Sequence, residues 1–172
     1  PSESSDTLPQ IEHVLMQALH ELRTQIISPM TDELKTDKEE DADELFQQHI
    51  EAQCKRLRTL GFTGTPIIRG NLNAMDKSLL PSLQTVCTEI LNNIAKHGKP
   101  GAFAFILSVG PDAVRIFASN LYNAAINSAP ENHYGTALIQ DFAQQHNGTM
   151  TINSENEEWS LSLAIPLTHQ TH

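Results

Sequence analysis

TEILNNIAKHGKP, from Thr88 to Pro100, is the stretch on which the reading of this 172-residue chain turns. From Leu79 onward, Leu79, Leu80, Leu83, Val86, Cys87, Ile90, Leu91 and Ile94 recur at three- and four-residue intervals, which predicts a helix with one buried stripe. Along the same helix Glu89, Asn93 and Lys96 follow one another at spacings of four and three, so a carboxylate, a carboxamide and an ammonium share one edge. Such an edge can hold a hydrated divalent cation and the anion it accompanies, because Mg²⁺ takes a few oxygen ligands plus water and phosphate while Lys supplies a point charge. The plainer reading of the same residues is a solvated, charged helix face.

Working outward, the length fits one domain, or one domain and a short accessory element, and the apolar content is enough for a core. A net charge of -10 argues against a nucleic-acid backbone as direct partner. Cys54 and Cys87 both lie on apolar stripes, so they read as buried free thiols in a reducing, cytoplasmic compartment rather than as a disulfide. No apolar run has the length of a membrane span and no signal peptide is visible, so no membrane contact is expected. The chain opens on Pro1 rather than Met and reads as a piece of something longer.

Residues 1–7 are polar and read as a linker. Ile11, Leu15, Ala18, Leu19, Leu22 and Ile26 form a near-heptad stripe, which suits a dimerising helix interrupted at Ser28-Pro29. A charged connector through residue 43 leads to a second amphipathic helix carrying Leu45, Phe46, Ile50, Cys54, Leu57 and Leu60 and stopped at Gly61. An α/β domain is expected over 44–167, with 168–172 as tail. It opens on a short strand, Thr65 to Arg69, and a loop, NLNAMDKS, before the central helix. Past a turn at Lys99-Pro100-Gly101, AFAFILSV and AVRIFAS read as two strands punctuated by Gly110-Pro111-Asp112. LYNAAINSAPENHYG reads as a loop over a site, Gly135 to His146 as a helix ending near Asn147-Gly148, and TMTIN with WSLSLAIPL as a closing hairpin.

This order, a helix bearing E-x-x-x-N, two strands, a loop, G-T-A-L at a helix start and two more strands, resembles the ATP-binding catalytic domain of sensor histidine kinases. Those domains belong to the ATPase superfamily shared with gyrase, the Hsp90 chaperones and MutL. TEILNNIAKHGKPG is similar to the family's N box, in the form found in kinases paired with NarL/LuxR-type response regulators, and YGTALIQDFAQQHNGTMTI resembles its later glycine box. The resemblance implies an α+β two-layer sandwich of a mixed sheet and helices, with an N-terminal helical segment. It implies ATP and Mg²⁺ as ligands, with Asn93 and, through water, Glu89 on the metal. Lys96 and His97 would meet phosphate, Asn120 adenine, and Gly135, Thr136, Ala137 and Leu138 the nucleotide at the helix start, under a lid from Leu121 to Tyr134.

Two departures bear on that expectation. Where the family has Asp-x-Gly-x-Gly, this chain has FASNLYN, so Asn120 stands in for the adenine-reading Asp with a neutral acceptor. Ala137 stands where Gly is usual, and its methyl limits approach to a phosphate. The phosphoacceptor is not identified. His20 lies in HELRT, the heart of the acceptor box, but too little chain separates it from Asn93 for two long hairpin helices and the start of a catalytic domain. The implied partners are a second copy, through the N-terminal helix, and a response regulator with a DNA-binding output domain. Two other readings stand beside the kinase: a degenerate docking or dimerisation module, and a serine kinase of the anti-sigma-factor type.

Overall fold

The computed structural model describes residues 42–122 and 134–168. The first helix, α1, spans Ala42–Thr59 and leads to strand β1, Pro66–Arg69, and a 3-10 turn at Leu72–Ala74. Helix α2, Leu79–His97, runs into the pair β2, Gly98–Val109, and β3, Ala113–Tyr122. Helix α3, Tyr134–Gln145, and the hairpin β4, Thr149–Glu155, with β5, Glu158–Pro166, complete the described part. The expected linker, the dimerising helix with His20 and most of the expected lid lie outside the described residues.

The strands form one mixed sheet in the order β1-β2-β3-β5-β4, with β1 parallel to β2 and every other pair antiparallel. Side chains alternate across a strand, and from Val114 onward β3 follows that alternation: Val114, Ile116, Ala118 and Asn120 are buried, whereas Arg115, Phe117 and Leu121 are exposed and Ser119 is half-buried. The inward set joins Phe46 and Ile50 of α1, Leu83, Val86, Ile90 and Ile94 of α2, and Ile139 and Phe142 of α3 in one core. Helices therefore cover one face of the sheet, giving the expected two-layer α+β sandwich.

Two helices end in the same way. After α1, Gly61 takes φ +92°, its N–H donates to Arg58 O at 3.1 Å, and the Phe62 N–H reaches back to Leu57 O at 3.2 Å. Both Leu57 and Phe62 are buried, the apolar contact that commonly seals such an end. After α3 the left-handed residue is Asn147, φ 54°, with Asn147 N–H on Gln144 O at 3.2 Å and Gly148 N–H on Ala143 O at 2.7 Å. The closing hairpin turns on Asn156 and Glu157, both with positive φ, the twist that two-residue hairpins favour.

Five expectations are corrected. Helix α1 begins at Ala42, inside the expected connector, and Leu45 and Leu60 stand 48% and 49% exposed because its buried stripe runs Phe46, Ile50, Cys54, Leu57. Strand β2 starts at Gly98, directly after α2, since Gly98 pairs with Tyr122 and Phe103 with Asn120. The residues between them bulge from the ladder, and Thr63 ties the bulge down through Thr63 N–H on Gly101 O, 2.8 Å, and Phe103 N–H on Thr63 O, 2.9 Å. Leu121 and Tyr122 belong to β3 rather than to the loop, and α3 already includes Tyr134.

Candidate functional site

The site is built from α2 outward. Its start is fixed by Asp76, whose carboxylate accepts the Ser78 N–H at 2.9 Å and whose carbonyl accepts that of Leu79 at 2.9 Å. Those bonds to Ser78 hold the Asp76 carboxyl below its ordinary pKa. Leu83, Val86, Cys87, Ile90, Leu91 and Ile94 are buried as the periodicity predicts, and this fixes which way the polar edge looks. Glu89, Asn93 and His97 are half-buried at the margin of that stripe, and Lys96 is exposed. Lys96 and His97 occupy the last turn, where the helix dipole favours positive charge with or without a ligand.

The neighbouring asparagines have different surroundings. Arg56 of α1 donates from Nη1 to Asn92 Oδ1 at 3.2 Å, and His49 of α1 meets Thr88 Oγ1 at 2.8 Å. Helix α1 thus occupies the Thr88–Asn92 flank, and Asn93, about 100° further round, keeps company with Glu89 one turn earlier. The E-x-x-x-N spacing picks out the asparagine next to the one that Arg56 holds.

Asn120 enters from the sheet. It is the buried polar residue of the described core, 4% exposed, and its Nδ2 donates to Leu121 O at 2.6 Å. Gly98, the residue after α2, lies against it, for a Cβ there would come 2.5 Å from Asn120 Nδ2. The carboxamide of β3 is therefore held at the C-terminal end of the helix that carries Glu89 and Asn93. Its ladder partners are Phe103 on β2 and Trp159 on β5, so two aromatic residues flank it.

Gly135 and Thr136 fall in the first turn of α3, where backbone N–H groups lack intrahelical acceptors, and Ala137 and Leu138 follow them as its fourth and fifth residues. Thr136 is half-buried, whereas Ala137 and Leu138 are exposed. The remainder of the expected lid is outside the described residues.

No protein-family model matches the sequence, and no curated protein does. Solved structures do match. The Acinetobacter baumannii histidine kinase AdeS aligns with a TM-score of 0.60 at 13% identity, over 98% of this chain and 87% of that one. The catalytic domain of histidine kinase ThkA aligns at 0.52 and 14%, over 73% of this chain and 92% of that one. The blue-light-activated histidine kinase of Erythrobacter litoralis aligns at 0.55 and 12%, over 73% of this chain and only 42% of its own. The fold is that of histidine kinase catalytic domains. At such identities the likeness is one of fold, and within this histidine kinase fold the residues themselves carry the functional argument.

Sequence reasoning missed His49, Thr88 and Arg56. Their signal was present: His49 and Arg56 flank the buried stripe of α1 seven residues apart, on one face of that helix. Trp159 was missed too, because its place beside Asn120 depends on the register of β5 against β3. Among the described residues no helix is long and apolar enough to cross a membrane.

Proposed function

We propose that the chain is the ATP-binding catalytic domain of a cytoplasmic two-component histidine kinase that works with Mg²⁺. The observation that carries this reading is the buried Asn120 carboxamide lodged against Gly98, at the C-terminal end of the helix whose polar edge bears Glu89 and Asn93, within a histidine kinase fold. The donor set fits the ligands: a carboxylate and a carboxamide four residues apart suit an oxygen-seeking divalent ion. With Asn120 Nδ2 engaged by Leu121 O, its Oδ1 is the atom suited to accept from an adenine amino group.

Bound Mg²⁺ supplies charge neutralisation at the phosphate being transferred. Asn93 would ligate it through Oδ1 while Glu89 orients a water molecule. Lys96 and His97 bring positive charge toward phosphate, and the amides of Gly135 and Thr136 present further donors to an anion. Transfer of the γ-phosphoryl group rests on positioning and electrostatics, so these residues need only an acceptor histidine brought to them. That acceptor belongs on a dimerisation helix, in a homodimer assembled through the N-terminal segment, and the phosphoryl group then passes to a response regulator with a DNA-binding output domain.

Calorimetric titration with a non-hydrolysable ATP analogue and Mg²⁺ tests the reading, with Asn93→Ala and Asn120→Ala alongside. Micromolar binding that both variants lose supports it. A second reading, a nucleotide-free docking or dimerisation module, is favoured by one observation: Asn120 is buried with its Nδ2 donating to Leu121 O, and no carboxylate stands in its place. Folded protein that gives no heat up to millimolar nucleotide overturns the first reading and favours the second.

A further inference from the structure

The geometry points to His49 and Arg56 of α1 as positioning residues that set the rotation of α2 about its axis, and with it the aim of Glu89 and Asn93. This rests on the nucleotide-binding reading and names what holds that site. The Thr88 hydroxyl has one proton, which it gives to Gln84 O at 2.9 Å. Toward His49, 2.8 Å away, it can therefore only accept, so His49 Nε2 carries the hydrogen and donates. One turn further along α2, Arg56 Nη1 donates to Asn92 Oδ1 at 3.2 Å. The two bonds fasten neighbouring points on one ridge of α2, about 6 Å apart along its axis.

Glu89 and Asn93 each directly follow a fastened residue. The buried stripe below is made of Leu, Ile and Val contacts, which are non-directional and yield to a small roll of the helix. Hydrogen bonds are directional and resist it. A roll of about 20° moves a side-chain atom some 6 Å from the axis by about 2 Å. Misplacement on that scale is enough to spoil a liganding geometry. The His49 bond is the partly buried one of the pair, so it carries more of the restraint than the exposed Arg56 bond.

The test compares the 172-residue chain with His49→Leu, which fills the space without a donor, and His49→Gln, whose carboxamide can donate to Thr88. Two readouts are taken. The first is the side-chain amide resonance of Asn93 in ¹H–¹⁵N spectra without nucleotide; it is expected to shift in His49→Leu and to return toward wild type in His49→Gln. The second is the dissociation constant for the ATP analogue with Mg²⁺, expected to rise about fivefold or more in His49→Leu and to recover within about twofold in His49→Gln. An Asn93 resonance unmoved in His49→Leu, or moved equally in both variants, overturns the positioning role. Wild-type protein that binds no nucleotide overturns the kinase reading instead, and the resonance still decides the role of His49.

Discussion

The Asn120 carboxamide lies against the α-carbon of Gly98, so closely that a methyl group at position 98 would stand 2.5 Å from Asn120 Nδ2. The same methyl would press on Ile94 O and stand 2.9 Å from the ring of Phe62. Gly98 has an ordinary φ of -74°, so the demand for glycine here is one of space rather than of backbone freedom. Gly98→Ala is expected to cost about 1–3 kcal/mol in urea unfolding and to weaken nucleotide binding beyond what that loss explains, by pushing Asn120 away from the end of α2. Unchanged affinity in a folded Gly98→Ala protein would remove Asn120 from the site.

Asn93→Ala separates ligand binding from folding. Asn93 sits at the margin of the stripe rather than in it, so its truncation should leave stability within about 0.5 kcal/mol of wild type. Under the proposed function, affinity for the ATP analogue should fall at least about tenfold, as expected for loss of the proposed metal ligand. Trp159, the single tryptophan, pairs in the sheet with Asn120, so its fluorescence should report nucleotide entry in the wild type and stay silent in Asn93→Ala.

Cys54 and Cys87 make the fold sensitive to alkali. Burial pushes the Cys54 thiol up from 9.0 to about 11, and desolvation drives fully buried Cys87 further in the same direction. In that window the unfolded chain has lost protons that the folded chain keeps, so stability falls as pH rises. For Cys54 the decline begins near 9 and runs to about 11. The urea midpoint should be insensitive to these thiols near neutrality and fall through that range, and Cys54→Ala with Cys87→Ala should flatten the slope. Alkylation of native protein at neutral pH should be slow, for both thiols are buried.

The end of α3 gives a gain and a loss at adjacent positions. Asn147 holds φ 54°, which glycine adopts freely, so Asn147→Gly should be neutral or slightly stabilising, whereas Asn147→Val should cost about 1–2 kcal/mol. Gly148→Ala should be worse than Asn147→Gly, because its Cβ would stand 2.5 Å from Ala164 O and from the Ile165 side chain. Thermal unfolding of the three variants checks the order.

Much of this architecture was legible in the chain. The stripe beginning at Leu79 gave α2 its start and its buried face, because helical period depends on local spacing alone. Gly61 marked the end of α1 for a local reason, its left-handed backbone. What escaped depends on distant partners. Nothing near Gly98 announces that it pairs with Tyr122, so a turn was expected where the strand already runs. Leu45 and Leu60 fit the apolar pattern of α1, and only the packing of α2 and the sheet against Phe46 and Ile50 shows that they lie outside. At the candidate site, E-x-x-x-N was readable as an edge of one helix, whereas the lodging of Asn120 against its far end, and the fastening of Thr88 by His49, join residues tens of positions apart.

The alternation along β3 has a consequence for variation. Val114, Ile116 and Ala118 point into the core, and Asn120 occupies the next inward place, where the rule of two calls for another apolar side chain. In a saturation library scored for folding alone, tolerance along this strand should rise and fall with a beat of two, and position 120 should accept Val or Leu as readily as Asn. Scored for the nucleotide binding proposed above, the same library should reject them. If the two landscapes part company at position 120, that is where the strand gives up a place in the core to the ligand of the proposed function.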